Sequence, residues 1–460
     1  MQGKLRNLSK VHVLHNTTMK GFMRSIAEEK NDKMLTEPFS VTNISSIIDQ
    51  IDNWKKWFGS IEPYYALKAQ NNPVTQRLFH RMGLGYDCAS LPEIQSVLST
   101  GCNPNKIIVS HPFKNYHCVA EVIKHRMLTV VDCAQECDKI KRVYHQLKNQ
   151  TFPYAQSLSP DMSEIETPPI LIRIKPTKLA ANKVEVNFRN KFGVGWSHFE
   201  ELLMHCKNLE LDIKGISFHP GLRADDAEPW TDTIKFARHC WDIMHKLGYN
   251  PSILDIGGGY KRRDDEKMST KEIGYLIQRS VDEHFHSLGE SPIVVAEPGS
   301  FMVGKSQSTA ACVLGAKMEG SRYPEYHLSA GVYNGLSWHQ IDPQYQSEIE
   351  PLFLKSYCSH QKVSLQNAHI WGVSCDGADD LGLRKVPKLT EGDWVVYSEI
   401  GDYMNELNTS FNGFRPPEIY YCCEKRHSQT VQLLLADEFQ LTDITEIHGR
   451  NISEHLNMLS

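Results

Sequence analysis

The chain has 460 residues, 40% of them hydrophobic and 23% charged, with a formal net charge of −5. This is globular composition, and the charge balance leaves no basic footprint for nucleic acid. The length calls for two or three domains, and no run approaches the roughly 18 apolar residues a membrane-spanning helix needs.

In chain order, residues 1–35 hold no continuous apolar core and read as neither a signal peptide nor a transmembrane span. The expectation is a cytoplasmic protein whose 12 cysteines are reduced thiols. CAQEC (133–137) and the Cys422-Cys423 pair have the wrong spacing for zinc, so no metal is expected. From residue 64, apolar strand-like runs recur: YYALK (64–68), GYDCA (85–89), KIIVS (106–110), LTVVD (128–132), ILIRI (170–174), IKGISFH (213–219), SILDIGGG (252–259) and IVVAEPG (293–299). Helical patterns such as LPEIQSVLST (91–100) and FEELLMHCKN (199–208) lie between them. Strands alternating with helices in this way predict an α/β fold, a (β/α)8 barrel, with a doubly wound sheet as the competing architecture. After residue 300 the texture changes to short β-rich runs between Gly/Pro turns, which reads as a separate β-rich domain. The expected division is an N-terminal segment 1–37 packing on the β domain and a barrel from 38 to 285. A β domain, 286–425, follows with barrel strand eight near 293–299 at its start, and then a polar tail, 426–460. The Ser/Pro-rich stretch 151–168 reads as an exposed insertion.

Reactive residues of a barrel gather where its strands end. The ends here are Lys68, Asp87, Asp132, Arg173, His219, the glycines 257–259 and Glu297. Singly, each has an ordinary structural use: an ion pair for Asp87 and Arg173, a satisfied core histidine for His219, a turn for Glu297-Pro298-Gly299. A shared rim argues for more. Glycines after strand seven let backbone N–H groups approach an anion, although a lone GGG is weak and the dinucleotide fingerprint GxGxxG is absent. A phosphate on one side and a lysine across the rim suggest pyridoxal 5'-phosphate held as a Schiff base on Lys68. Glu297 is placed to face the pyridine nitrogen and His219 to stack on the ring.

The ordered blocks PYYALKAQN, GYDCAS, KFGVG, ISFHPG, LDIGGGY, AEPGS, GVYNG, WGVSCDGAD and SFNGF resemble those of the eukaryotic ornithine decarboxylases, which are barrel-type, fold type III pyridoxal-phosphate enzymes. The resemblance runs from about residue 38 to 423 and includes the antizyme inhibitors of the same family. It implies that Lys68 carries the cofactor, that His219 stacks on it, and that Glu297 pairs with its nitrogen. Gly258, Gly259, Pro298, Gly299, Ser300 and Tyr403 would line the phosphate side, with Asp87 and Arg173 organising the region around the lysine. Cys375 would donate a proton to the carbanion left by CO2 loss, reaching in from a second subunit. Asp342 and Asp376 would bind the distal ammonium of a diamino acid. Lys191 and Asp379 match a pair that bridges subunits, which implies a homodimer with shared active sites. The implied activity is decarboxylation of L-ornithine to putrescine in polyamine biosynthesis.

Three positions depart from the family's pattern. Leu222 stands where a phosphate-binding serine is expected, Ser300 where a phosphate-binding arginine is expected, and Ala330 where a carboxylate is expected. A charge-assisted bond to phosphate contributes roughly 1.5–3 kcal/mol. Arg223 and Lys305 are the candidate substitutes. The departures keep two alternatives open: an antizyme-inhibitor-like regulator that has lost catalysis, and a decarboxylase of lysine or another diamino acid. Trp338 and Ile341 flank the distal pocket and are unlike the family there.

Overall fold

The computed structural model describes residues 9–153, 165–224, 226–261, 268–318, 322–337, 339, 348–355, 364–435 and 439–444. The chain divides into two compact units, Gln50–Met302 and a second built from Met1–Asp49 with Val303–Ser460.

The first unit is a closed barrel of eight parallel strands: β1 (Glu62–Ala66), β2 (Gly85–Cys88), β3 (Ile107–Val109), β4 (Leu128–Val131), β5 (Ile170–Arg173), β6 (Ile213–Ser217), β7 (Ile253–Asp255) and β8 (Ile293–Ala296). Each run read from the sequence supplies one strand, and the doubly wound alternative is set aside because β8 pairs with β1 and closes the sheet. Tyr64, Ile108, Leu128, Val130, Leu171 and Val295 pack together from strands around the barrel. The intervening helices start where their sequences say. Asn72 caps Pro73–Arg81, Ser90 caps Leu91–Leu98, Asn115 caps Tyr116–Lys124, and Ser269 with Glu272 forms a capping box on Thr270–His284. Each cap contributes about 1 kcal/mol. One element was not foreseen: Val184–Val186 pairs antiparallel with Leu222–Ala224, joining the segments that follow β5 and β6. Among the described residues no helix is long and apolar enough to cross a membrane.

The second unit is a ten-stranded sheet. Gln307–Lys317 pairs with Phe39–Asn43, which pairs in parallel with Glu418–Glu424. Ser9–Leu14 runs parallel to both Glu418–Glu424 and Phe439–Ile444. On the other side the order runs through Glu325–Leu328 and Leu365–Trp371 to Asp380–Pro387. The polar tail thus carries a helix, Ser428–Leu435, and a strand of this sheet. The unit boundaries fall at 49/50 and 302/303, not at 37/38 and 285/286. The reason is physical: β8 hydrogen-bonds β7 and β1, so the chain leaves the barrel only after it. Within 151–168, residues 154–164 lie outside the described residues.

Candidate active site

Lys68 is not the last residue of a strand. β1 stops at Ala66, and Lys68 sits on a single 3-10 turn, Leu67–Ala69. That turn swings Nζ to 2.8 Å from Oδ2 of Asp87 on β2. The other oxygen of Asp87, Oδ1, accepts the Ser110 hydroxyl just past β3. Asp87 is buried and held on both oxygens, so it fixes where the ammonium points. The lysine side chain remains 46% exposed, so a ligand can reach Nζ.

Across the barrel the register sets Arg173 on β5 beside Ser217 on β6, and Ser217 beside Asp255 on β7. Ser217 donates its hydroxyl to Asp255 Oδ2 (2.7 Å), and the Gly257 amide donates to Oδ1 (2.9 Å). Burial pushes the Asp255 carboxyl up to about 6, and Asp87 adds to it, while those two bonds and Arg173 pull it back. Arg173 lies 4.9 Å from the centroid of the Phe192 ring. Beside it, Asp132 accepts the Gly193 amide on Oδ2 (2.8 Å).

His219 follows β6. Its Nδ1 accepts the Gly221 amide (3.2 Å), which leaves the proton of the neutral ring on Nε2. Enclosure by protein, together with the Arg173 and Lys68 cations, holds His219 well below the ordinary imidazole range. The ring is therefore neutral near pH 7. Glu297 follows β8, is buried, and its Oε1 has no hydrogen-bond partner among the described residues. Burial is the main reason its carboxyl titrates well above the usual range, with Asp255 and Asp87 adding to it.

The glycine loop after β7 keeps the space between these groups open. Gly257 and Gly259 have φ of +66° and +96°, which side chains rarely adopt. A Cβ on Gly258 would lie 2.7 Å from the Glu297 carbonyl oxygen and 3.0 Å from His219 Nε2. Pro298 accepts the Ala66 amide (3.2 Å), and Gly299 accepts the Met302 amide (3.0 Å) ahead of the short helix Ser300–Val303. Leu222, at the departed serine position, is a half-buried member of the two-stranded ribbon opposite Val186. The side chain of Arg223 lies outside the described residues.

These residues fit pyridoxal phosphate. A reachable amine stands on Lys68, a neutral imidazole flanks an open glycine loop, and a buried carboxyl oxygen has no partner among the described residues. A pyridine nitrogen is the kind of group that would meet that oxygen.

The remaining expected residues belong to the sheet unit. Cys375 is exposed, in the turn between Leu365–Trp371 and Asp380–Pro387, and its amide donates to Asn412 Oδ1 (3.0 Å). Asp376 accepts the Tyr333 hydroxyl on Oδ2 and the Ala378 amide on Oδ1 (3.1 Å), and the Tyr333 bond draws its carboxyl below the usual range. Tyr403 is half-buried on a loop and has a left-handed backbone, φ +58°. Asp379 is buried, its oxygens accepting the Val332 and Ser374 amides (2.8 Å each). Its carboxylate thus has a duty inside its own unit. Ala330 is fully buried in the sheet's apolar core, where a carboxylate would be costly. Asp342, Trp338 and Ile341 lie outside the described residues.

The sequence reading passed over Asp255, Ser110 and Ser217. Asp255 had a usable signal, since it ends a strand at the same rim as the others and was eclipsed by the three glycines after it. Ser110 had the same signal, as the last residue of KIIVS, whereas Ser217 had none.

Two family models match in tandem. Residues 44–304 fit the pyridoxal-binding domain of the pyridoxal-dependent decarboxylases, and residues 305–401 fit their C-terminal sheet domain. A probable ornithine decarboxylase of Dictyostelium discoideum is 29% identical, covering 85% of this chain and 80% of its own. Antizyme inhibitor 2 of Xenopus laevis is 27% identical, covering 94% and 91%. Among solved structures, the arginine decarboxylase of Paramecium bursaria Chlorella virus bound to agmatine superposes with a TM-score of 0.76 at 26% identity, covering 88% of this chain and all of that one.

Proposed function

The chain belongs to the pyridoxal-dependent decarboxylases, and from that premise we propose that it converts L-ornithine to putrescine, a step of polyamine biosynthesis. The observation that carries this reading is that one barrel mouth holds both Lys68, fixed by Asp87, and a buried Glu297 oxygen with no hydrogen-bond partner among the described residues. Bound at this site, pyridoxal phosphate supplies an electron sink for the charge left on carbon when CO2 departs. Lys68 would hold it covalently through Nζ, and Gly258, Gly259 and Ser300 would line its phosphate side; the family resemblance assigns Tyr403 to the phosphate as well. Glu297, whose carboxyl burial raises well above the usual range, would be the group to pair with the ring nitrogen. His219, held neutral, would pack on the ring without adding a charge to it. Arg173 favours the charged forms of Asp255 and Glu297, while Lys68 pairs with Asp87.

In this reading Cys375 returns a proton to the substrate carbon, while Asp376 and Asp342 bind the distal ammonium. The cysteine comes from a second copy of the chain, so the working species is a cytoplasmic homodimer with shared sites. The experiment is to incubate the purified protein with pyridoxal phosphate, record its absorbance, and assay CO2 and diamine from ornithine, lysine and arginine. Fastest release from ornithine supports the substrate; faster release from lysine or arginine replaces it. Mixing Lys68→Ala with Cys375→Ala chains should restore up to about a quarter of the sites by random exchange. No recovery, with exchange confirmed, removes the shared site.

A second reading, a regulator resembling antizyme inhibitors, draws on Leu222 and Ser300, which lack the hydroxyl and the cation the phosphate would use. Ser300→Arg separates the two. In an enzyme it should tighten cofactor binding about five- to a hundredfold and raise activity at limiting cofactor, with little change in the saturated rate. In a regulator it yields at most a yellow protein that releases no CO2.

A further inference from the structure

We propose that Asn412 is a positioning residue for the Cys375 thiol: its side-chain amide fixes the backbone of residue 375 and so decides where the proton goes. The inference rests on the reading of Cys375 as proton donor.

The turn that carries Cys375 is pinned at successive residues from different directions. At Ser374 the amide donates to buried Asp379 (2.8 Å). At Asp376 the carboxylate takes the Tyr333 hydroxyl. At residue 375 itself the amide donates to Asn412 Oδ1 (3.0 Å), across 37 residues of sequence. Asn412 can reach because it sits in a 3-10 turn, Phe411–Gly413, with φ +54° and ψ +12°. That left-handed conformation is one asparagine tolerates and most side chains do not. The neighbouring Phe411 packs on Tyr333 with ring centroids 4.7 Å apart, and Thr409 donates its amide to the Tyr333 carbonyl (2.9 Å). One short segment thus steadies both the thiol's backbone and the tyrosine that holds Asp376.

The chemistry makes position matter. When CO2 leaves, the retained electron pair is shared between the substrate carbon and the cofactor's carbonyl-derived carbon. A proton from Cys375 Sγ on the substrate carbon gives the diamine, and the thiolate regains its proton from water. A proton on the cofactor carbon instead, followed by addition of water, gives an amino aldehyde. The amino group then stays on the cofactor, so substrate is oxidised and cofactor reduced by the same electron pair. A thiol displaced by a fraction of an ångström loses the first outcome to the second.

The test uses the cofactor-loaded protein in four forms: wild type, Asn412→Gly, Asn412→Asp and Cys375→Ala. Asn412→Gly keeps the left-handed backbone and removes the acceptor, whereas Asn412→Asp keeps the acceptor. Aldehyde and diamine are quantified from the substrate that turns over fastest, with KM determined alongside. Hydrogen exchange of the Cys375 amide is measured without substrate. Asn412→Gly should raise the aldehyde share about three- to tenfold, the worth of one neutral hydrogen bond. It should speed amide exchange at 375 by a similar factor with KM nearly unchanged, and Asn412→Asp should restore both. A higher KM with an unchanged product ratio would overturn the proposal in favour of a merely structural role. If Cys375→Ala makes aldehyde but Asn412→Gly does not, the positioning role alone fails. If Cys375→Ala makes only diamine, the donor assignment fails and takes the positioning role with it. The exchange measurement needs no turnover, so unchanged exchange in Asn412→Gly sinks the proposal even in a chain that releases no CO2.

Discussion

The barrel mouth and the Cys375 turn both hold reactive groups in place, by unlike means. In the barrel, position comes from the ladder: Ala66 is registered against Asp87, Arg173 against Ser217, and Ser217 against Asp255. Many backbone bonds would have to shift before any one of these side chains moved. In the sheet unit, position comes from single bonds between side chain and backbone, Asn412 to Cys375 and Asp379 to Ser374, on loops that include left-handed Glu399, Tyr403 and Asn412. The neutral bond contributes only about 1 kcal/mol and the bond to the carboxylate about 1.5–3 kcal/mol. The first arrangement resists substitution except at the reactive groups; the second is tunable at almost every residue.

The largest expected effect lies at Lys68, the proposed covalent anchor of the cofactor. Lys68→Ala should drop CO2 release to the background rate and abolish the near-visible absorbance of the bound cofactor, while the fold survives, since Lys68 stands on a turn outside the ladder. Undiminished turnover would remove the assignment. Next comes the glycine loop, where the ladder leaves no slack. Gly258→Ala puts a methyl 2.7 Å from the Glu297 carbonyl and 3.0 Å from His219 Nε2. Overpacking of this kind costs about 1–3 kcal/mol, so cofactor affinity, read by absorbance titration, should fall about five- to a hundredfold. An unchanged affinity would mean that the mouth yields as readily as the loops do.

The smallest effect tests the acids beneath the mouth. Burial pushes the Asp255 carboxyl up to about 6 in the folded chain, above its unfolded value of about 3.9. Between those values the folded chain holds a proton that the unfolded chain has lost, so stability declines as pH rises through that window and is level above it. Denaturant midpoints of the wild type at pH 4.5 and 6.5 should differ by an amount equivalent to about 1–2 kcal/mol from this group. Asp255→Asn should shrink that difference; an equal difference in the variant would assign the slope to other groups.

The barrel was legible because each strand is a short apolar run bounded by turn residues, and because alternation with helices leaves few ways to close a sheet. The rim residues followed from that alone. Sequence could not show that β1 ends before Lys68, since a one-turn 3-10 helix has no pattern of its own. Nor could it show that Leu222 joins Val186 in a ribbon, which depends on a contact between two loops. The sheet unit was harder, because its pairings run between segments far apart in sequence. SKVHVL (9–14) gives no local sign that its neighbours are residues 421–424 and 439–444. Asn412 was legible only as part of a motif; its use depends on a backbone angle that the letters do not carry.

The strand Ser9–Leu14 lies between Glu418–Glu424 and Phe439–Ile444 in the sheet, and this bears on the order of events during synthesis. The segment precedes the barrel in the chain and so is synthesised before it, yet both of its neighbours are synthesised after it. The barrel, encoded entirely between them, can close while the opening strand still presents two bare edges to the cell. Bare edges pair with whatever strand arrives, and the long wait lengthens that exposure. A permuted chain opening at residue 303 and joining the present ends by a short linker would bring these strands together early. Its yield on refolding would measure how much the native order costs.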